Sequence, residues 1–297
     1  MVASVFVPSV GFGLVTASIL ALAAVGFTLQ FGVTNILNLA YGDLMTGAAY
    51  VGYLVNRDGG SIAESLAAGV AFGALASALL NRCLYMPFLR RRTKLFVMVI
   101  VTLSTGVIIQ NAILAITGPT FLTYDFSPGT EVRFAGFVLS TSQLMIMAIA
   151  VAAMILVHLL LTRTRLGKAM RATAANAELA RASGIATDRI IDVAWLLSGA
   201  LCGLAGVVLV LNTTAFQSTT GSDFIVIIIA AAMLGGIGRP TGAILASLVL
   251  GVVTEVAAGY ITASLKEVIA FGVLVGVLVV RPQGLLGQAS AYRRATA

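Results

Sequence analysis

The sequence predicts an all-α protein, a polytopic transmembrane helical bundle of about eight or nine membrane segments, some of them broken or re-entrant. Three observations predict it. Hydrophobic residues make up 59% of the 297 residues and charged ones only 10%, against about 25% charged in ordinary globular chains. Mean hydropathy is +1.05. The apolar residues gather into continuous runs of about 20, the length that crosses a hydrocarbon core as a helix. Continuous runs exclude a β-barrel, which needs alternation. The 31 glycines suit membrane helices, where they let backbones approach closely.

The runs fall at 9–31, 35–55, 62–80, 95–117, 138–161, 190–211, 223–236, 241–260 and 266–281. The whole chain, 1–297, reads as one transmembrane domain with a basic loop at 162–189. No Lys or Arg precedes Arg57, so the N-terminus lacks the charged start of a cleavable signal peptide. The first span is therefore expected to stay in the mature protein.

Net charge is +7, and its distribution argues against nucleic acid. Arg82, Arg90, Arg91, Arg92 and Lys94 crowd residues 81–94. Arg163, Arg165, Lys168, Arg171, Arg181 and Arg189 crowd 162–189, and Arg281, Arg293 and Arg294 close the chain. This is the positive-inside pattern, which places those loops in the cytoplasm. Residues 118–136 hold Asp125, Glu131 and Arg133 with Pro119 and Pro128, and so face outward. Counting from these anchors puts the N-terminus outside and the C-terminus inside.

Two places interrupt the helix count. At residues 32–35 (GVTN) one apolar run passes into the next with no charged loop between them. At 235–240 (GGIGRP) a short apolar run meets a glycine-rich break. Backbone that leaves the helix at membrane depth must be buried in protein or line a wet cavity, and interrupted segments mark translocation paths in transporters. Tight interhelical turns at the surface are the alternative. One re-entrant segment would lower the count from nine to eight. Gly69/Gly73, Gly199/Gly203 and Gly272/Gly276, with the looser Gly242/Ala246, put small residues on single helix faces for close crossings.

No enzyme reading assembles. His158 is the one histidine, with no second ligand for a metal. Cys83 and Cys202 form neither a disulfide framework nor a metal spacing. Leu166-Gly167-Lys168 is a fragment of a phosphate loop without the rest, so the chain does not bind ATP by that motif. Ionisable residues inside spans mark pathways or pairs. They are few: Asp43, Glu64, Asp192, Glu255 and Asp223, most near span ends. Only Asp43 and Glu255 suit a buried carboxylate, and neither has an obvious partner. That scarcity favours a transporter whose energy arrives through another protein. Asn35, Asn38, Tyr41, Asp43 and Thr46 form a polar string after the first break, with Asn35, Asn38 and Thr46 expected on one helical face. The string, with Gly235, Gly236 and Gly238 of the second break, is read as the candidate translocation pathway.

The chain resembles the permease subunits of branched-chain amino acid ABC importers, specifically the first of the two paralogous permeases. Four blocks carry the likeness: 35–50 (NILNLAYGDLMTGAAY), 171–189 (RATAANAELARASGIATDR), 233–242 (MLGGIGRPTG) and 279–287 (VVRPQGLLG). The resemblance implies a second paralogous permease subunit, two cytoplasmic ATP-binding subunits that hydrolyse ATP, and a substrate-binding protein outside. This chain itself would bind no cofactor. It also implies that a short cytoplasmic helix over 174–185 docks in a cleft of the ATPase. Ala174, Leu179, Ala182 and Ile185, with Met170, would form its apolar side, Glu178 a polar contact and Gly184 the helix stop. Family members commonly carry His and Glu where this chain has Tyr41 and Asp43. Close relatives carry urea, short amides or aromatic acids, so these cargoes stand beside branched-chain amino acids. A stand-alone secondary carrier and a channel are the alternatives of a different class.

Overall fold

A computed structural model describes residues 2–91, 93–126, 129–134, 136–236, 238–260 and 265–280. The 279–287 block from Arg281 onward lies outside them, as do Arg92, Pro128, Ile237, Arg293 and Arg294. Twelve helices are described in order: α1 (Val2–Thr34), α2 (Tyr41–Arg57), α3 (Ile62–Leu80), α4 (Met86–Arg90), α5 (Leu95–Thr117), α6 (Thr141–Arg163), α7 (Arg165–Ala175), α8 (Ala177–Ala182), α9 (Thr187–Thr213), α10 (Thr220–Gly235), α11 (Pro240–Tyr260) and α12 (Lys266–Val280). A π-helical turn, Asn81–Tyr85, carries α3 into α4. Six helices among the described residues are long and apolar enough to cross a membrane. The helices α2, α10 and α12 are shorter, at 17, 16 and 15 residues.

Two helices form the spine. The apolar windows of α1 and α9 are 78% and 72% buried, those of α5 and α6 only 22% and 17%. Flat helix faces let the spine pack closely. On α3, Gly69 and Gly73 lie against the backbone of Gly203 and Gly199 on α9, and Ser77 donates a 2.9 Å hydrogen bond to the Trp195 carbonyl. On the other side Gly13 and Ala17 of α1 meet Gly251 of α11. Gly272 and Gly276 of α12, read from spacing as part of a close crossing, meet nothing among the described residues.

The two ends of the bundle differ in charge. At one end Arg82 pairs with Asp192 at 2.8 Å and Arg90 with Asp188 at 3.2 Å, joining the α3–α4 segment to the start of α9. This is the basic end, and α7 and α8 sit there. The opposite end carries strands the sequence reading did not foresee. A hairpin pairs β2 (Glu131–Phe134) with β3 (Phe137–Ser140), and β1 (Leu122–Thr123) pairs with β4 (Ala215–Phe216). The loop backbone there satisfies its own donors and acceptors by short strand pairing. Asn56 clasps it to α2, accepting from the Asp125 amide at 2.7 Å and donating to the Asp125 carbonyl at 3.4 Å. Tyr124 adds a 2.6 Å bond from its hydroxyl to the Ala49 carbonyl, and burial pushes its phenol well above the ordinary range.

The bundle contains an inverted repeat. The helices α1–α2–α3 run from the hairpin end and α9–α10–α11 from the basic end, and each set has a long buried helix, a break and a short helix. The breaks, residues 35–40 and 214–219, are equal in length. Each opens on a residue of positive φ, Asn35 at 54° and Thr214 at 65°, the only two such non-glycine residues among those described. Across the repeat α3 packs on α9 and α11 on α1.

A side chain at Gly203 would press on the backbone of Gly69, which cannot rotate away. Overpacking of this kind costs about 1–3 kcal/mol or more. Gly203→Leu is expected to lower the thermal midpoint of the purified chain by several degrees. Gly276→Leu, whose Cβ meets nothing within 4 Å, is expected to leave it unchanged.

Candidate functional site

The two short helices begin inside the bundle. The chain turns back after Asn35, and by Tyr41 it has climbed to the level of Gly26, about two turns above the end of α1. There the Tyr41 hydroxyl donates to the Ser198 carbonyl of α9 at 3.4 Å, and its ring meets Phe27 edge-on. From the hairpin end residues 214–219 descend to the same level, where Gly221 of α10 lies against Gly42 of α2. Two helix N-termini therefore converge, and each brings unpaired amides and a partial positive charge.

Local chemistry answers both demands. Asp43 and Asp223 sit in the first turns of α2 and α10, where a carboxylate complements the dipole. The Ser222 hydroxyl donates to Asp43, and the Gly221 amide donates to Thr46 Oγ1 at 2.8 Å. Neither Gly42 nor Gly221 can carry a side chain, because each would overlap the other's carbonyl. The α5 helix closes the side: Gly106 abuts the Asp43 carboxylate, and Thr102 donates at 3.0 Å to the Leu37 carbonyl within the break.

The structure brings together part of the predicted string. Asn38, Tyr41, Asp43 and Thr46 are all buried. Asn38 accepts a 3.3 Å bond from the Tyr85 hydroxyl of the π-turn, while its Nδ2 has no partner. Asn35 is exposed at the basic end, and it lies with Asn38 in the non-helical break. The expected shared helical face of Asn35, Asn38 and Thr46 is therefore absent, because the helix begins only at Tyr41. Gly235, Gly236 and Gly238 lie away from the string, at the other end of α10, roughly 24 Å along its axis. There Gly235 packs on Gly242, Gly236 has φ 95°, Gly238 has φ 81°, and Gly238 touches Gly32. This glycine-rich segment is a tight turn between α10 and α11. The second interruption inside the bundle is 214–219, which the sequence reading missed. A signal was present: TNILNLAYGD at 34–43 and TTAFQSTTGS at 213–222 place Thr and Gly at matching positions.

Both candidate carboxylates have partners from remote sequence. Asp43 has Ser222, and Glu255 accepts from Thr16 at 2.9 Å and pairs with Lys266 at 2.7 Å. Glu64 belongs to the capping box of α3, and Asp192 takes Asn81 and Arg82.

At the basic end the expected single helix over 174–185 is two. Asn176 leaves the helical region at φ −162° and caps α8, its Oδ1 accepting from the Leu179 amide at 2.9 Å. At the far end Gly184 has φ 84°, its amide bonds to the Arg181 carbonyl and the Ile185 amide reaches back to Ala180, the pattern of a Schellman stop. Between these ties Leu179 is 65% exposed, with Ala174, Glu178, Ala182 and Gly184 also exposed. Ala180 faces inward and Ile185 packs on the core. Met170, expected on the docking face, is buried inside the chain. Arg181 bonds to Thr187 and Asp188, and Asp188 also holds Arg90.

Comparison with known proteins agrees with this geometry. The sequence profile described as "Branched-chain amino acid transport system / permease component" matches residues 9–278. The high-affinity branched-chain amino acid transport system permease protein LivH of Salmonella typhimurium is 28% identical over 291 residues, covering 93% of this chain and 94% of LivH. BraD of Pseudomonas aeruginosa, described in the same words, is 30% identical over 295 residues with the same coverage. Among solved structures, an ABC transporter in an inward-facing conformation shares the fold at TM-score 0.54 and 15% identity, covering 93% of this chain and 88% of that one. Such a match, running nearly end to end over a bundle of apolar helices, makes the chain a multi-pass inner-membrane permease subunit of an ABC importer. It belongs to the branched-chain amino acid transport system permease family.

Proposed function

We propose that the chain forms, with a second related permease, the membrane pathway of an importer for amino acids, branched-chain ones above all. Two ATP-binding subunits sit at the basic end and a substrate-binding protein at the hairpin end. ATP is bound and hydrolysed by the partner subunits, and this chain has no ATPase site and no cofactor of its own. The basic end faces the cytoplasm, the N-terminus lies outside and the C-terminus inside. The whole chain acts as one permease domain. The observation that carries the reading is α8, a helix tied at both ends that presents an exposed leucine beside an exposed glutamate. Docked in an ATPase cleft, Leu179 finds the burial this chain does not give it. Displacement of α8 passes through Arg181 and Asp188 to α9 and through Arg90 to α4. The convergence of α2 and α10 around Asp43 is the inner part of the route. Tyr41 and Asp43 stand where family members commonly carry His and Glu, which favours urea, short amides or aromatic acids as the second reading of the cargo.

Orientation is tested first. With Cys83 replaced, because it is exposed, single cysteines at Thr123 and Ala175 are expected to react with an impermeant thiol reagent from opposite sides. Labelling of both from the periplasm rejects the orientation.

Coupling is tested at two positions that the chain's own packing does not use. Burying a leucine is worth about 1.5–3 kcal/mol, and Leu179→Asp replaces that gain with a charge to be desolvated. A Cβ at Gly184 meets nothing within 4 Å, but Gly184→Val forces a β-branched residue to φ 84°. Both variants are expected to reach the membrane at normal levels and to lose ATPase co-purification. Full ATP-dependent transport by both in vesicles refutes the docking role.

At the convergence, Asp43→Ala removes the acceptor of Ser222. The lost buried bond to a charged group is worth about 1.5–3 kcal/mol of local stability, and uptake is expected to fall at unchanged membrane level. The complex should still assemble. Unchanged uptake gives Asp43 a packing role alone.

A further inference from the structure

A crevice of about 290 Å³ opens at the basic end, away from the exposed face of α8 and from the convergence around Asp43. It lies between α6 and α11, with the buried α1 behind it. Val25, Leu29 and Val33 of α1, Met154 and Val157 of α6 and Ile244 of α11 make its wall. By liquid volume it would hold about ten waters, yet apart from Thr28 that wall offers them nothing to bond. Its rim is different in kind. Arg171 of α7, Arg239 of the α10–α11 turn and His158 of α6 line the mouth, and Arg171 is oriented by a bond to the Leu161 carbonyl. The first turn of α11 also opens there, bringing amides without helical acceptors and a partial positive charge. Among the described residues that line it none is acidic. One further group points to an occupant: Thr28, 1% exposed, lines the crevice, and its hydroxyl has no partner.

An apolar slot with a cationic mouth, on an outward-facing helix near the end of a membrane bundle, matches a molecule with an acyl chain and a phosphate. Basic pockets between membrane helices on the positively charged side hold anionic headgroups. We infer that this crevice binds one anionic phospholipid. Its phosphate meets Arg171, Arg239 and the α11 N-terminus, and one acyl chain lies along α1. A lipid so placed wedges α6 and α7 against the α10–α11 turn, filling space that no described side chain fills. The site lies apart from the convergence around Asp43 and borders the start of the docking segment at Ala174, while Leu179 and Glu178 lie outside its lining.

The test is lipid retention by the full-length chain, purified in mild detergent with the subunits that accompany it. Phosphatidylglycerol or phosphatidylcholine of the same acyl chains is added, and bound lipid is counted by native mass spectrometry. The wild type is expected to retain phosphatidylglycerol in preference to phosphatidylcholine, and millimolar inorganic phosphate is expected not to displace it. The pair Arg171→Gln with Arg239→Gln is expected to bind about thirtyfold more weakly, the effect of two basic residues. Ile244→Trp, which fills the slot and leaves the charges, is expected to lose the lipid as well. Arg171→Lys with Arg239→Lys keeps both charges and is expected to keep the lipid, which separates charge loss from misfolding if the glutamine pair is unstable. Equal retention of the two lipids by the wild type overturns the proposal, as does displacement by free phosphate. Wild-type retention by Ile244→Trp, or loss from a folded lysine pair, overturns it equally.

Discussion

A helix that starts in the interior of a membrane bundle leaves amides that water cannot reach, and two helices of this chain do so at one place. Each unsatisfied group in hydrocarbon costs several kcal/mol, so the start of α2 and the start of α10 need partners that only protein can supply. They supply one another. Gly221 donates to Thr46, Ser222 to Asp43, and the carboxylates lie in the first turns where the helix dipoles want them. Much else follows from that meeting. The glycine pair is required because the two backbones touch, the breaks are equal because they feed the same level from opposite ends, and Thr102 of α5 is aimed at the Leu37 carbonyl because the break itself needs a donor.

The apolar runs made most of the fold legible. Most helix ends fall within about three residues of the runs, and α3 and α5 match theirs at both ends, because a span must carry apolar residues over its whole length. Helix α1 begins earlier, at Val2, and α2 later, at Tyr41. Breaks were harder to read. The first was visible from the absence of a charged loop, although the helix continues to Thr34 and leaves its path at Asn35. The glycine-rich 235–240 takes the alternative reading, a tight turn, and the second break lies at 214–219 instead. Glycine marks a tight turn and a buried break with the same letter, and residues 214–219 contain neither glycine nor proline. Partners were not legible. Glu255 finds Thr16 across 239 positions, and no local pattern announces a contact made by tertiary packing. At the basic end Gly184 was readable as a stop, since glycine at a helix end has one common use. Asn176, which divides the expected helix, was overlooked despite being a favoured cap.

Glycine serves two structural purposes here. Gly69, Gly73, Gly199 and Gly203 set the distance between α3 and α9, and Gly42 with Gly221 lets two helix starts share one level. Gly184, in contrast, faces open space where a Cβ would stand and serves through its backbone angle and its amide bond to Arg181. Crossings of the first kind hold the spine without side chains to reorder, whereas α8 is held by a cap, a stop and the ion pairs around Asp188. The exposed element is thus tied by polar contacts and the buried ones by backbone contact.

The bond between Ser222 and Asp43 joins residues 179 positions apart. A ribosome adding about 5–20 residues per second takes roughly 9–36 s to cover that interval. Throughout it, the start of α2 has emerged and the helix that satisfies it does not yet exist. The early spans α1, α3 and α5 therefore leave the ribosome as an unfinished half, with a carboxylate and open amides waiting. The second half settles the first, so the order of synthesis makes α2 one of the last helices to reach its final environment, although it is among the first to be made.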